Sequence, residues 1–207
     1  MLRYRWLGGI GLALAAALAL AGATVAQSAG PETVVDEVTH ELLEVLDERG
    51  EALSDDPVAL YEALAPLIEP HIAYDRIGAH ILGPYWRKAD AETRQRFIRE
   101  FQRSLLRTYA SRMEDYQGDV AIRILGSRPR DGGAQVGMEV DTGSGSPTRI
   151  LYRLEQQDGA WKLVDVTAEG VSLIHNYRED FRSRLREKDL ETVIDEMAAR
   201  NRELGFE

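Results

Sequence analysis

The chain uses two hydrophobic periods, and the change from one to the other divides it into helical and strand regions. From Glu32 to Arg49 apolar residues recur every three to four positions opposite acidic residues, which is typical of an amphipathic helix that ends at Gly50. Similar spacing predicts helices from Pro57 to Leu64, from Ile72 to Trp86 and from Ala91 to about Tyr116. A last amphipathic helix is expected between residues 189 and 204.

Between Gly118 and Val166 the apolar residues alternate with polar ones, as they do in pleated strands with one buried face. Four such runs are separated by turn residues, including Arg130-Asp-Gly-Gly133 and Asp158-Gly159. Sequential strands with short turns predict an antiparallel meander. The predicted fold class is therefore α+β: N-terminal helices, a four-stranded antiparallel meander sheet, and C-terminal helices over its apolar face, enclosing a hydrophobic pocket.

The last predicted strand runs into a helix through one short turn at Glu169-Gly170. Trp161 to Val166 alternates as a strand, whereas apolar residues from Val171 to Phe181 recur at helical spacing. Gly170 is the expected hinge, because glycine adopts conformations that other residues avoid. We expect any ligand of this protein to lie near this joint.

The first residues have the layout of a secretory signal peptide. Two arginines precede an apolar run from Trp6 to Ala23 that ends in small residues. Cleavage after Ala23, or alternatively after Ala26, leaves one mature domain over residues 32–204. An uncleaved anchor is the alternative, because about 18 apolar residues is close to the shortest membrane-spanning length. The Ala-Gly-Ala ending favours cleavage, and hence Sec-type export of a soluble domain.

The charge balance restricts the function classes. The 207 residues include 35 acidic and 25 basic side chains, a formal net charge of −10, and removal of the arginine-bearing leader makes it more negative. Such a protein is poorly suited to bind nucleic acid or anionic lipid surfaces by charge. The chain contains no cysteine, so an exported domain must be stabilised by packing without disulfides.

Motifs for metal or nucleotide chemistry are weak. No HExxH motif and no glycine-rich phosphate loop is present, so we expect neither a metal site nor a nucleotide cofactor. The histidines lie on different predicted elements: His40, His71, His80 and His175.

Candidate catalytic groups lie near the strand-to-helix joint. Ser172, His175 and Asp165 are close in sequence but lack a G-x-S-x-G elbow, so a hydrolase is disfavoured. The alternative function is a small-molecule enzyme or binding protein with an NTF2-like cavity, in which Asp165 or Glu169 serves as the acid or base. Buried carboxylates often have raised pKa values, which suits them to this role. The structural interpretation is that Glu169 caps the following helix.

The longest predicted helix carries a basic stripe opposite its apolar face. Such a stripe is either a solvated surface or a docking surface for an acidic partner. Its members are Arg96, Arg99, Arg103 and Arg107.

Several motifs together resemble a known family. They are Gly83-Pro-Tyr85-Trp-Arg-Lys-Ala89, Trp161-Lys-Leu-Val-Asp165-Val, and Glu169-Gly-Val-Ser-Leu-Ile-His-Asn-Tyr-Arg178-x-x-Phe181. Between the first two stand Arg94, Phe97, Phe101, Leu105 and Tyr109. This pattern, from about Val34 to Leu204, resembles the MlaC-type family of periplasmic phospholipid-binding proteins, also called toluene-tolerance (Ttg2-type) proteins.

The resemblance implies a soluble periplasmic carrier, without enzymatic activity or cofactor, whose cargo is phospholipid. It implies transfer between an outer-membrane lipoprotein–porin complex and an inner-membrane ABC transporter with its periplasmic substrate-binding subunit, which maintains outer-membrane lipid asymmetry. The acyl chains would occupy an apolar pocket between sheet and helices. We accordingly assign as lipid-binding Tyr85, Val136, Met138, Val140, Ile150, Tyr152, Leu154, Val171, Ile174 and Tyr177, and as scaffold Asp165, Glu169, Asn176 and Arg178.

Overall fold

The computed structural model describes residues 29–53, 56–113, 120–143, 146–203 and 205–206. The N-terminal part is helical: α1 (Pro31–Leu53), α2 (Pro57–Ile68), a 3-10 turn (Glu69–His71), α3 (Tyr74–Leu82), α4 (Pro84–Lys88) and α5 (Ala91–Met113). Five strands follow: β1 (Ala121–Arg130), β2 (Gly133–Asp141), β3 (Thr148–Gln157), β4 (Ala160–Ala168) and β5 (Val171–Ser172). The chain continues with helices α6 (Leu173–Arg184) and α7 (Leu190–Arg202). Among these residues, no helix combines the length and the apolar character needed to cross a membrane. The predicted leader, residues 1–23 or 1–26, lies outside the described residues.

The sheet is the predicted antiparallel meander, with strands in the order β1-β2-β3-β4-β5. The prediction of four strands missed β5, which has only two residues and pairs with the end of β4. A bulge interrupts the β3–β4 register, because Arg153 pairs with Asp165 whereas Leu154 pairs with Leu163. Val164 is the extra residue, so simple alternation fails there.

One amphipathic helix, α1, covers the apolar face of the sheet. Its Val35 is buried against Val136, Met138 and Leu154. The expectation that the C-terminal helices cover this face is wrong. They belong to a separate core, in which large apolar residues of α6 and α7 pack against those of α3 and α5.

Aromatic rings hold this second core, the helical core, together. Phe97 and Phe101 of α5 stack with their centroids 5.6 Å apart, and Phe181 of α6 meets Phe97 edge-on at 5.3 Å. Tyr177 meets Phe101 edge-on at 5.0 Å. Such geometries add about 0.5–1.5 kcal/mol per pair to the free energy of burial. Helices α5 and α6 therefore form a fixed body beside the sheet.

A buried polar contact sets the register of α7 on α5. Asn201 is completely buried, and its Nδ2 donates to the backbone oxygen of Glu100 at 3.0 Å and to Glu100 Oε2 at 2.8 Å. Ser104 Oγ donates to Asn201 Oδ1 at 3.2 Å. An amide that loses such partners inside a protein is costly, so this contact specifies one helix pairing.

Helix starts were easier to predict than helix ends. Asp90 caps α5 as predicted, since its Oδ1 accepts from the Thr93 amide at 2.8 Å. Helix α1 continues past Gly50 to Leu53, and Pro66 lies inside α2. The helix predicted from Ile72 to Trp86 is divided at Gly83, whose φ of 54° ends α3 before Pro84 starts α4.

Gly78 provides a test of the packing between α3 and α4. A Cβ at this position would stand 2.5 Å from Trp86 Cζ3, and Trp86 is itself buried. We expect Gly78→Ala to lower the free energy of unfolding by about 1–3 kcal/mol, because the indole must shift within a packed core. Urea denaturation measures the change.

The matched control is Gly50→Ala, also within a helix, where the nearest atom to a new Cβ is 4.0 Å away. Here alanine is expected to be neutral or stabilising by up to about 1 kcal/mol through its helix propensity. Equal effects of the two substitutions would contradict the close packing at Gly78.

Candidate functional site

An apolar groove lies between α1 and the sheet. Its volume is about 130 Å³. Successive turns of α1 supply one wall, and alternate residues of β3 and β4 supply the other. The lining residues are Val34, Val35, Val38, Thr39, Leu42, Ile68, His71, Ile72, Tyr152, Leu154 and Leu163. The groove contains no lysine, arginine, aspartate or glutamate among these residues, so it suits an apolar ligand.

The apolar face of the sheet is wider than the helix that covers it. Val136, Met138 and Leu154 are buried beneath α1. Around them the same face continues in apolar residues that are only partly buried: Ile122, Ile124, Val140, Ile150, Tyr152 and Trp161. A contiguous, incompletely covered apolar surface of this kind commonly marks a binding site.

Tyr152 is a partly buried residue of the groove lining. It lies beside Leu154 and Leu163 in the lining, and burial raises the pKa of its phenol to about 12. Burial therefore disfavours the phenolate form of this side chain.

A third side of the groove, formed by Ile68, His71 and Ile72, is held by hydrogen bonds behind it. Tyr61 Oη donates to Glu69 Oε1 at 2.6 Å, and Gln102 Nε2 donates to the same oxygen at 3.1 Å. Burial and this bond raise the pKa of Tyr61. These hydrogen bonds connect the 3-10 turn, which lies between Ile68 and Ile72, to α5. This side of the groove is therefore attached to the helical core.

Six of the predicted lining residues share one face of the sheet. Val136 pairs with Tyr152 and Met138 with Ile150 across β2 and β3, so these side chains point to the same side. The complete set on this face is Val136, Met138, Val140, Ile150, Tyr152 and Leu154. Their contact with lipid stays a prediction.

The other predicted lining residues lie elsewhere. Ile174 and Tyr177 pack into the helical core, because α6 turns towards α5 rather than over the apolar sheet face. Tyr85 is 37% exposed, and its hydroxyl donates to the backbone oxygen of Leu185 at 2.9 Å. Val171 pairs with Ala168 at the edge of the sheet and is 54% exposed.

Sequence reasoning missed the contribution of α1. Val34, Val38 and Leu42 line the groove, and Ile72 joins the edge of β4 through a bridge to Leu163. The signal was present, since these α1 positions form the apolar stripe of an amphipathic helix. Periodicity shows that a stripe is buried but not which surface it faces.

The joint between β4 and α6 is a structural hydrogen-bond centre. Asp165 Oδ2 accepts from Ser172 Oγ at 2.8 Å, and its Oδ1 accepts from the Ile174 amide at 3.2 Å. Ser172 Oγ accepts in turn from the His175 amide at 3.0 Å and caps α6. These bonds orient β4 against α6, which is the scaffold role assigned to Asp165. Ser172 bonds the backbone amide of His175, and these bonds do not align its hydroxyl with the His175 ring as a hydrolase would require.

The turn before α6 has the predicted special backbone but a different cap. Gly170 has a φ of 82° and Glu169 a φ of 52°. A positive φ favours glycine and is unusual for glutamate. The interpretation of Glu169 as the helix cap is wrong, because Ser172 occupies that position. Hinge motion at Gly170 stays a prediction.

The basic stripe is partly used within the chain. Arg96 forms ion pairs with Glu191 and Asp195 of α7, which packs beside α5. Arg103 donates to Glu100 at 3.3 Å, whereas Arg99 is exposed. The side chain of Arg107 lies outside the described residues. Of these arginines, Arg99 is best placed for a partner.

Within the described ranges, no three histidine, cysteine, aspartate or glutamate side chains are grouped so that they could hold a metal ion.

Comparisons with known proteins place this geometry in a family. The model of the family "MlaC protein" matches residues 36–199. Toluene tolerance protein ttg2D of Pseudomonas putida is 34% identical over 169 residues, which cover 80% of this chain and 78% of that protein. The intermembrane phospholipid transport system binding protein MlaC of Haemophilus influenzae is 21% identical over 179 residues, 84% of this chain and 83% of that protein.

A solved structure shares the fold. It is the phospholipid-binding protein from Ralstonia solanacearum in complex with a phospholipid, with a TM-score of 0.77 and 20% sequence identity, covering 86% of this chain and 100% of that one. The resemblance found in the motifs is thereby confirmed. The family model spans most of the chain, and the Pseudomonas relative matches four fifths of it, so the chain belongs to the MlaC protein family.

Proposed function

We propose that this protein is a periplasmic phospholipid carrier. The observation that carries the proposal is the apolar sheet face, which is wider than α1 and contributes Tyr152 and Leu154 to the groove. The names of its relatives support it, since one binds phospholipid in an intermembrane transport system and another was solved with phospholipid bound. Transfer between outer membrane and inner-membrane ABC transporter is the corresponding task.

The groove must widen to accept acyl chains. Its volume of about 130 Å³ is well below the roughly 300–1,000 Å³ of pockets that hold drug-sized molecules. Helix α1 is the wall that can move, because Val34, Val38 and Leu42 are only partly buried, whereas the side formed by residues 68–72 is tied to α5 through Glu69. Lipid entry therefore displaces α1 from the sheet.

The energetics of burial favour this exchange. Each buried methylene contributes about 0.8 kcal/mol, so ten methylenes contribute about 8 kcal/mol. A lipid tail also replaces the contacts that Val35 makes with the sheet. Affinity then comes from the tails, and the groove lining contains no lysine, arginine, aspartate or glutamate that would impose a charge requirement on the head group.

Release depends on partners rather than on the bilayer. With a net charge of −10 the protein is repelled by anionic lipid surfaces, so it does not remain on them after transfer. We propose that Arg99 contributes to docking on the membrane complexes, through a rim charge that accelerates association.

Val38→Glu tests the groove. A carboxylate in this apolar lining must be desolvated when tails enter, so the phospholipid that co-purifies should fall from about one per chain to a small fraction. Native mass spectrometry after gentle purification measures the load, and circular dichroism verifies the fold. Leu125→Glu is the matched control, because Leu125 lies over Gly137 on the other face of the sheet. Equal loads in both variants, or no lipid in the wild-type protein, would contradict the proposal.

A reversible crosslink tests the movement of α1. Thr39 Oγ1 lies 3.9 Å from Met138 Sδ, and the chain has no cysteine of its own. In the double variant Thr39→Cys/Met138→Cys, we expect a short bis-methanethiosulfonate crosslinker to slow lipid uptake at least tenfold, and reduction of the crosslink to restore it. Uptake of a fluorescent phospholipid from vesicles is the measurement, with each single variant as control. Unchanged uptake in the crosslinked protein would show that α1 does not move.

Arg99→Glu tests docking. Reversal of this exposed charge should slow association with the solubilised membrane complexes severalfold while the lipid load stays the same. Arg128→Glu, a charge reversal on the distant strand β1, is the control. Surface plasmon resonance at low and physiological salt measures the rates. If both variants associate at the wild-type rate, Arg99 is only a solvated residue.

A further inference from the structure

A second, polar pocket lies on the other face of the sheet. Its volume is about 220 Å³, larger than that of the groove. Helices α3 and α6 and strands β3 and β4 surround it. The lining residues are Arg76, Ala79, His80, Arg153, Glu155, Val164, Asp165 and Ile174.

The sheet separates this polar pocket from the groove. On β3, Leu154 lines the groove, whereas Arg153 and Glu155 line the polar pocket. On β4, Leu163 faces the groove, and the bulge at Val164 turns the next residues to the other side. A lipid tail in the groove therefore does not fill the polar pocket.

The carboxylates of the polar pocket are already engaged. Glu155 Oε2 accepts from Arg76 at Nε, 3.1 Å away, and at Nη2, 3.0 Å away. Arg153 Nη2 donates to Glu155 Oε1 at 3.0 Å. Asp165 uses both oxygens at the start of α6. Glu155 thus orients two guanidinium groups, each of which has five N–H donors and retains some for a ligand.

Guanidinium groups act on the His80 ring in the polar pocket. Burial and the nearby Arg178 lower the pKa of His80, and Arg153 and His175 act in the same direction, whereas Asp165 opposes them. The lining balances the guanidinium groups of Arg76 and Arg153 against the carboxylates of Glu155 and Asp165, and Arg178 of α6 adds a third guanidinium group near His80.

We propose that the polar pocket binds a small soluble oxyanion of the phosphate class, such as inorganic phosphate or a phosphate monoester. Oriented guanidinium groups bind the oxygens of phosphate through paired N–H donors. The apolar floor of Ala79, Val164 and Ile174 displaces water and strengthens the attraction. This site is independent of lipid in the groove.

Nuclear magnetic resonance of the histidine rings tests the proposal. The mature protein is titrated with inorganic phosphate, and separately with glycerol 3-phosphate, at constant ionic strength balanced with chloride. The His80 signals should shift saturably, with a dissociation constant of about 1 mM or lower. The bound anion favours the imidazolium, so the pKa of His80 should rise by about one unit. His40, on α1, is the internal reference and should not respond.

Matched variants separate a built site from general charge effects. Arg153→Gln should weaken binding about tenfold or more, because it removes a charged donor from the polar pocket. Arg149→Gln removes the same charge from the same face of β3, roughly 13 Å along the strand, and should bind as the wild-type protein does. Arg178→Gln should weaken binding and raise the pKa of His80 in the free protein.

Near-ultraviolet circular dichroism verifies that each variant is folded. A His80 shift no larger with phosphate than with chloride would overturn the proposal. So would equal losses in Arg153→Gln and Arg149→Gln. Displacement of phosphate when the protein is loaded with phosphatidylglycerol would also overturn it, because the pocket would then belong to the lipid site.

Discussion

The structure depends on one mismatch of area: the apolar face of the sheet is wider than the single helix that covers it. Val35 and its neighbours on α1 bury Val136, Met138 and Leu154, but Ile122, Ile124 and Ile150 on the same face remain partly buried. Complete burial would require a second helix, and α6 and α7 are engaged elsewhere. The unburied remainder is a source of binding free energy, because each Å² of apolar surface removed from water contributes about 25 cal/mol.

Rigidity is distributed unevenly around that face. The helical core is fixed by stacked rings at Phe97 and Phe101 and by the buried contact of Asn201 with Glu100. The network at Glu69 attaches one side of the groove to this core. Helix α1 meets the sheet through Val35 and its apolar neighbours and through the weak contact of Thr39 with Met138 Sδ. In the proposed carrier, the fixed side of the groove preserves the fold while displacement of α1 admits the phospholipid.

Strand alternation and one bulge give the two sides of the sheet different chemistry. Tyr152 and Leu154 face an apolar groove, and Arg153 and Glu155, their neighbours, face a polar pocket. The bulge at Val164 places Asp165 where it receives hydrogen bonds from Ser172 and Ile174. Asp165, one of the two residues that favoured an acid/base hypothesis in the sequence, therefore connects the sheet to the helical core. The two cavities lie on opposite faces of the same sheet.

The sequence by itself determined the local elements and the family. Alternation from Val136 to Leu154 predicted the apolar face of the sheet, Asp90 predicted the start of α5, and the motifs around Glu169-Gly170 predicted the MlaC protein family. Only the tertiary structure decided which helix meets which surface. An amphipathic stripe such as that of α1 shows that a helix face is buried but not which surface it packs against. For this reason Ile174 and Tyr177 of α6 were assigned to the lipid pocket, whereas in the structure they pack into the helical core. The bulge at Val164 is likewise a property of strand pairing, which the residues of one strand do not encode.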